Sequence, residues 1–93
     1  MWVVYERRDL EKKLHGLSID ILKRYEKWKD IVNISGPEGL RFIKGFHDEA
    51  LAGVWKGYRT SRLSERYRVI YRIERREAYV KVVDITSHDY RRR

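Results

Sequence analysis

The stretch VVDITSHDYRRR, Val82 to Arg93, runs from a segment of strand character straight into an imidazole, a phenol and three guanidinium groups, with no glycine between them. His88 can take or give a proton near neutral pH, and Tyr90 can donate one. Upstream, Arg59, Arg62, Arg66, Arg68 and Arg72 follow one another at short intervals. The planar fork of arginine meets a phosphate group through two parallel hydrogen bonds, so a rigid array of such residues suits a phosphate backbone better than solvent alone. Other chemistries lack their residues. The chain has no cysteine, its three histidines are far apart, and neither HExxH nor a paired DxD occurs, so no metal site is expected. No Walker loop or dinucleotide fingerprint is present, and SGPEG reads as a turn, so no cofactor is expected either.

The elements that hold these groups must come from a short chain. Ninety-three residues make one domain, 1–93, with a single modest core. At 42% apolar and 13% aromatic the composition is that of a folded globule. The absence of cysteine removes a disulfide framework, and the lack of a long apolar run or an h-region argues against a membrane span or secretory signal, so a cytoplasmic setting is the default. The formal net charge of +8 is unevenly spread. Residues 1–54 carry ten Lys/Arg against nine Asp/Glu, whereas residues 55–93 carry twelve against five. Such an imbalance draws polyanions, with nucleic-acid phosphate the commonest in a cytoplasm, although a solvated face is the plainer alternative.

Periodicity divides the chain. MWVVYER reads as a first strand. Asp9 can cap a helical segment with Leu10, Leu14 and Leu17 on one side, broken at Gly16. Ser18 caps a second helix in which Ile21, Leu22, Tyr25, Trp28, Ile31 and Val32 recur at three- and four-residue spacing, and NISGP stops it. PEGLRFI suggests a short helical turn, and KGFHDEALAG a loop with some order. After Trp55 the period changes to two. In RYRVIYRIE, Tyr67, Val69, Tyr71 and Ile73 fall on one face while Arg66, Arg68, Ile70, Arg72 and Glu74 fall on the other, the pattern of a half-buried strand. ERREA turns the chain through a loop longer than a tight hairpin, AYVKVVDITS returns as the last strand, and VWKGYRTSRL precedes both. The expected fold is α+β: a strand, two helices, then a three-stranded antiparallel meander.

One side of that sheet must pack on the helices, so the other presents arginines. Arg66, Arg68 and Arg72 share the polar face of their strand. Arg59 and Arg62 have opposite parity, and both reach one face only through a bulge. His88 and Tyr90 edge this surface.

YRVIYRI, followed after a turn by VKVVDITSHDY, resembles the RelE/ParE superfamily of bacterial toxins, whose members pair with an antitoxin and are mostly endoribonucleases cutting messenger RNA on the ribosome. EALAGVWKGYRTSRLSERYRVIY lies without a gap beside the corresponding part of the YoeB branch, and WKGYR is also similar to the YafQ branch. The resemblance implies a toxin domain whose partners are a cognate antitoxin, mRNA and the ribosome. On this resemblance Glu49 stands where the YoeB branch has its general base, Arg68 on the phosphate-binding arginine, and Arg62 on an earlier strand arginine. His88 falls on the C-terminal acid and Tyr90 beside it, one residue displaced: the chain has His-Asp-Tyr where that branch has His-Tyr, so either can carry the acid's role. Arg59, Arg66, Arg91 and Arg92 complete the expected RNA-binding set. These types fit metal-free RNA cleavage, in which a base deprotonates the 2'-hydroxyl, cations stabilise the phosphorane and an acid protonates the departing 5'-oxygen.

Plainer readings stand beside these. Glu49 and His47 lie in a mixed loop stretch where solvated side chains are common, and His15 has no case for a functional role. Tyr25, Trp28, Tyr67, Tyr71 and Tyr79 are most simply core, leaving Tyr58 and Tyr90 as aromatics suited to stacking on a base. The competing function within the same superfamily is a non-catalytic, ParE-like inhibitor of DNA gyrase.

Overall fold

The computed structural model describes residues 1–87; the expectations for His88, Tyr90, Arg91 and Arg92 lie outside the described residues. Strand β1, Val3–Glu6, leads into helix α1, Leu10–His15, and helix α2, Ile19–Ser35. Ser18 starts α2 by accepting a hydrogen bond from the Ile21 backbone at 3.3 Å, as its position in the sequence suggests. Asp9 makes no such side-chain cap; it pairs with Arg7 instead, at 3.2 Å. Gly36 ends α2 at φ 76°, where a Cβ would stand 2.8 Å from the Trp2 indole nitrogen, so both the backbone conformation and the close approach require glycine. Pro37 then opens a 3-10 turn, Pro37–Phe42, followed by a second, Lys44–Phe46.

Strands β2 (Glu49–Ala50), β3 (Arg59–Arg62), β4 (Arg68–Glu74) and β5 (Tyr79–Thr86) complete a five-stranded sheet of order β1-β5-β4-β3-β2. The last three form the expected antiparallel meander. β1 lies parallel to β5, and both helices occupy the crossover between them. The strand expected over residues 54–63 is only Arg59–Arg62, because Gly53–Trp55 curls into a 3-10 turn; the loop before it contributes the two-residue β2. Arg66 accordingly sits in the exposed turn before β4 rather than on the strand.

The core lies between α2 and the sheet. Tyr25, Trp28 and Val32 on α2, Leu10 on α1, and Val69, Tyr71, Val80, Val82 and Ile85 on the strands form its buried cluster, with Leu14, Leu17, Ile21 and Ile31 packed against it. Leu22 does not join it. β4 departs from the half-buried expectation: Arg68, Val69, Ile70 and Tyr71 are all buried. As an interior strand it is flanked on both edges, and a second, smaller buried layer of Leu51, Thr60 and Ile70 lines the face away from α2. Alternating polarity reports which side of a strand carries charge, not whether water reaches it.

Candidate active site

Directly opposed residues on neighbouring strands point to the same side of a sheet, so the register assigns each side chain to a face. Glu49 opposes Thr60, Thr60 opposes Ile70, and Ile70 opposes Asp84. In the next row Arg62 opposes Arg68, and Arg68 opposes Thr86. Glu49, Arg62 and Arg68 therefore share the face away from α2, brought there by three different strands. From Glu49 to Arg62 is one strand across, about 5 Å, and two residues along, about 7 Å. That span is short enough for a carboxylate and two guanidinium groups to meet one phosphodiester.

The Arg62–Arg68 pair is electrostatically unusual. Like charges on directly opposed residues destabilise a sheet. Arg68 is only 7% exposed, and the Nε of Arg62 is buried with no hydrogen-bond partner among the described residues. A buried, unsatisfied cationic donor costs about 1–3 kcal/mol or more, and a phosphate oxygen is the acceptor that relieves such a donor and the local charge together. Arg72 lies further along β4, half-exposed and paired with Glu74 at 2.7 Å.

Arg59 takes the other face. Its Nε and Nη2 donate to Asp48 Oδ2 at 2.9 and 2.8 Å. The Asp48 side chain is fully buried. Its Oδ1 accepts from Ser61 Oγ at 2.6 Å and from the Tyr71 hydroxyl, and Ser61 Oγ in turn accepts from Trp28 Nε1 at 3.0 Å. One carboxylate thus ties the segment before β2 to β3, β4 and α2, directly beside Glu49. His47, at φ 42°, is the left-handed residue that turns the chain into this position, and it is exposed. Sequence reading passed over Asp48. The one signal available was the inward parity of Arg59 and Ser61, which required a buried acceptor.

Burial, reinforced by the nearby Asp48 carboxylate and its hydrogen bond, pushes the Tyr71 phenol well above its ordinary value, and burial followed by the hydrogen bond to Glu6 at 2.6 Å does the same for Tyr25. Both keep their protons in the folded chain after free tyrosine has ionised, near pH 10. The stability this contributes is fully present below that pH and is lost as pH rises, because the unfolded chain ionises first. In an alkaline titration followed by phenolate absorbance and circular dichroism, Tyr25 and Tyr71 should ionise only with loss of native ellipticity. Ionisation of every tyrosine in a chain still natively folded would contradict the burial assignment.

A cleft of about 300 Å³ opens beside this face, lined by Arg7, Asp9, Leu10, Lys13, Trp55, Tyr58, Val83 and Asp84. No described helix is long and apolar enough to cross a membrane.

No family model and no curated protein matches the sequence. Solved structures do. The chain is similar to a chain of an archaeal RelE–RelB complex from Pyrococcus horikoshii OT3, with 23% identity over 92% of this chain and 93% of that one and a TM-score of 0.72. It is similar to a chain of the YoeB–YefM complex from Staphylococcus aureus at 12% identity, 96% and 99% coverage and TM-score 0.72. A YoeB/ParE toxin from Agrobacterium tumefaciens matches at 15% identity, 96% and 100% coverage and TM-score 0.72. The chain has the RelE-like fold, an α+β domain with a mixed five-stranded sheet. That fold is the one the sequence resemblance implied.

Proposed function

We propose that this protein is the toxin of a type II toxin–antitoxin system and cleaves messenger RNA, on the ribosome, without a metal ion. The opposed Arg62–Arg68 pair on the face it shares with Glu49 carries this reading: it concentrates positive charge and an unmet donor beside a carboxylate, as attack of a 2'-hydroxyl on its own phosphate requires. Glu49 removes the proton of the 2'-hydroxyl. Arg62 and Arg68 hold the phosphate and offset the charge that builds on the phosphorane. The P–O5' bond breaks, and the departing oxygen takes a proton from His88 or Tyr90, which stand one and three residues after Ser87 in sequence. The products are a 2',3'-cyclic phosphate and a 5'-hydroxyl. The shared fold supports the toxin reading, since the solved relatives include toxin–antitoxin complexes; the antitoxin here would cover the arginine face or displace the residues beyond it.

The two candidate acids separate kinetically. If His88 is the acid, His88→Gln should slow single-turnover cleavage by roughly 10²- to 10⁴-fold, the usual worth of a general acid, and leave RNA binding nearly unchanged. Tyr90→Phe should then cost far less. The reverse order of effects would pass the role to Tyr90, and cleavage that stops on chelation of divalent ions would overturn the metal-free mechanism.

A further inference from the structure

We infer that the cleft beside the arginine face binds one unpaired nucleobase next to the scissile phosphate, stacked on Tyr58 with Trp55 beside it; the inference rests on the ribonuclease reading. Tyr58 and Trp55 stand edge to face with ring centroids 5.4 Å apart, both half-buried, so one wall is a preassembled aromatic corner. The backbone holds that corner rigid: Tyr58 N donates to the Trp55 carbonyl at 3.0 Å, and the Tyr58 carbonyl accepts from Leu51 N at 2.9 Å. Leu10 and Val83 supply apolar surface, whereas the remaining lining residues are charged in pairs. Arg7 faces Asp9 at 3.2 Å and Lys13 faces Asp84 at 2.5 Å. An aromatic corner on one wall, apolar surface from Leu10 and Val83, and charged pairs that carry both donors and acceptors match a heterocycle that is flat and apolar on its faces and polar on its edge. The volume, about 300 Å³, is at the lower end for small-ligand clefts and suits a single base rather than a larger cofactor.

Placement ties the cleft to the phosphate site. Asp84 opposes Ile70 and stands two residues before Thr86, the strand partner of Arg68. The Asp84 wall is therefore roughly 7 Å along β5 from the Arg62–Arg68 row, and the stacking residue Tyr58 is two residues, roughly 7 Å, before Thr60, the strand partner of Glu49, so the scissile phosphate lies between the base and the arginines. The bulge at the Ile70/Tyr71 step, where Val83 is the extra residue of β5, turns Val83 and Asp84 toward this opening. Such irregularities recur beside functional sites because they re-aim side chains.

The test is equilibrium binding of a single-stranded RNA made uncleavable by 2'-O-methylation, with an abasic nucleotide moved through each position. For the wild type, one abasic position should weaken binding about 5- to 100-fold, the fold-change equivalent of losing one stacked base. Tyr58→Ala should lose a similar factor with the full-base RNA and almost nothing further when that same position is abasic, while Tyr58→Phe, which keeps the ring and so the fold, should bind like wild type. Losses that simply multiply, or a Tyr58→Ala variant that binds every RNA like wild type, would overturn the inference. The ribonuclease reading would survive that result so long as Arg68 variants still lost cleavage. A wild-type protein that bound no RNA would overturn the inference, whereas the ribonuclease reading falls only if ribosome-dependent cleavage is also absent.

Discussion

Replacing Arg68 by alanine should reduce single-turnover RNA cleavage by about 10²- to 10³-fold, the usual consequence of removing one donor aimed at developing charge. Arg68 opposes Arg62 on one strand and Thr86 on the other, so its side chain is carried by the middle of three paired strands rather than by a loop. Its burial, at 7% exposure, makes truncation structurally costly as well. Arg68→Lys separates the two effects: lysine keeps the charge and much of the volume but loses the bidentate fork, and should retain stability while losing most of the rate. Thermal melting of both variants measures the structural part. An Arg68→Lys protein that is natively stable and cleaves at the wild-type rate would remove the planar fork from the mechanism.

Asp48→Ala should destabilise the fold by about 3–5 kcal/mol, as much as truncating a large core side chain, because it strands the partly buried Arg59 charge. It also orphans the donors of Ser61 and Tyr71, each worth about 1–3 kcal/mol when buried and unmet. Against a typical total of about 5–15 kcal/mol, the loss brings the domain close to its unfolding limit. Urea denaturation measures it as a lowered midpoint. Asp48→Asn keeps one acceptor oxygen and should lose less. Adding Arg59→Met to Asp48→Ala should recover part of the loss, since it removes the unpaired charge. A cost below about 1 kcal/mol for Asp48→Ala would mean that water reaches the network and that Asp48 does not hold β2 in place.

Much of this architecture is legible in the sequence because its signals are local. The stripe of Tyr25, Trp28 and Val32 marks the buried side of α2, Ser18 marks its start, and the alternation in RVIYRI marks β4. The shared face of Arg62 and Arg68 follows from parity once the strands are paired. What stays hidden is carried by contacts distant in the chain. Asp48 bonds to residues 11, 13 and 23 positions away, and its own neighbourhood, HDEA, reads as a solvated loop. The bulge at Val83 has no glycine to announce it. The burial of Arg68 depends on β4 being interior and on a second buried layer, neither of which an alternating pattern records.

The reaction proposed for the face bearing Glu49, Arg62 and Arg68 is cleavage of messenger RNA. Mapping of RNA 5'-ends by primer extension, in translation reactions with and without ribosomes, tests it most directly. Wild-type protein should create discrete new 5'-hydroxyl ends within translated regions, dependent on ribosomes and absent with Glu49→Gln or Arg68→Lys. Intact messenger RNA under wild-type protein, together with inhibition of DNA gyrase supercoiling by the same preparation, would contradict the account and assign the chain to the non-catalytic gyrase-inhibitor class instead.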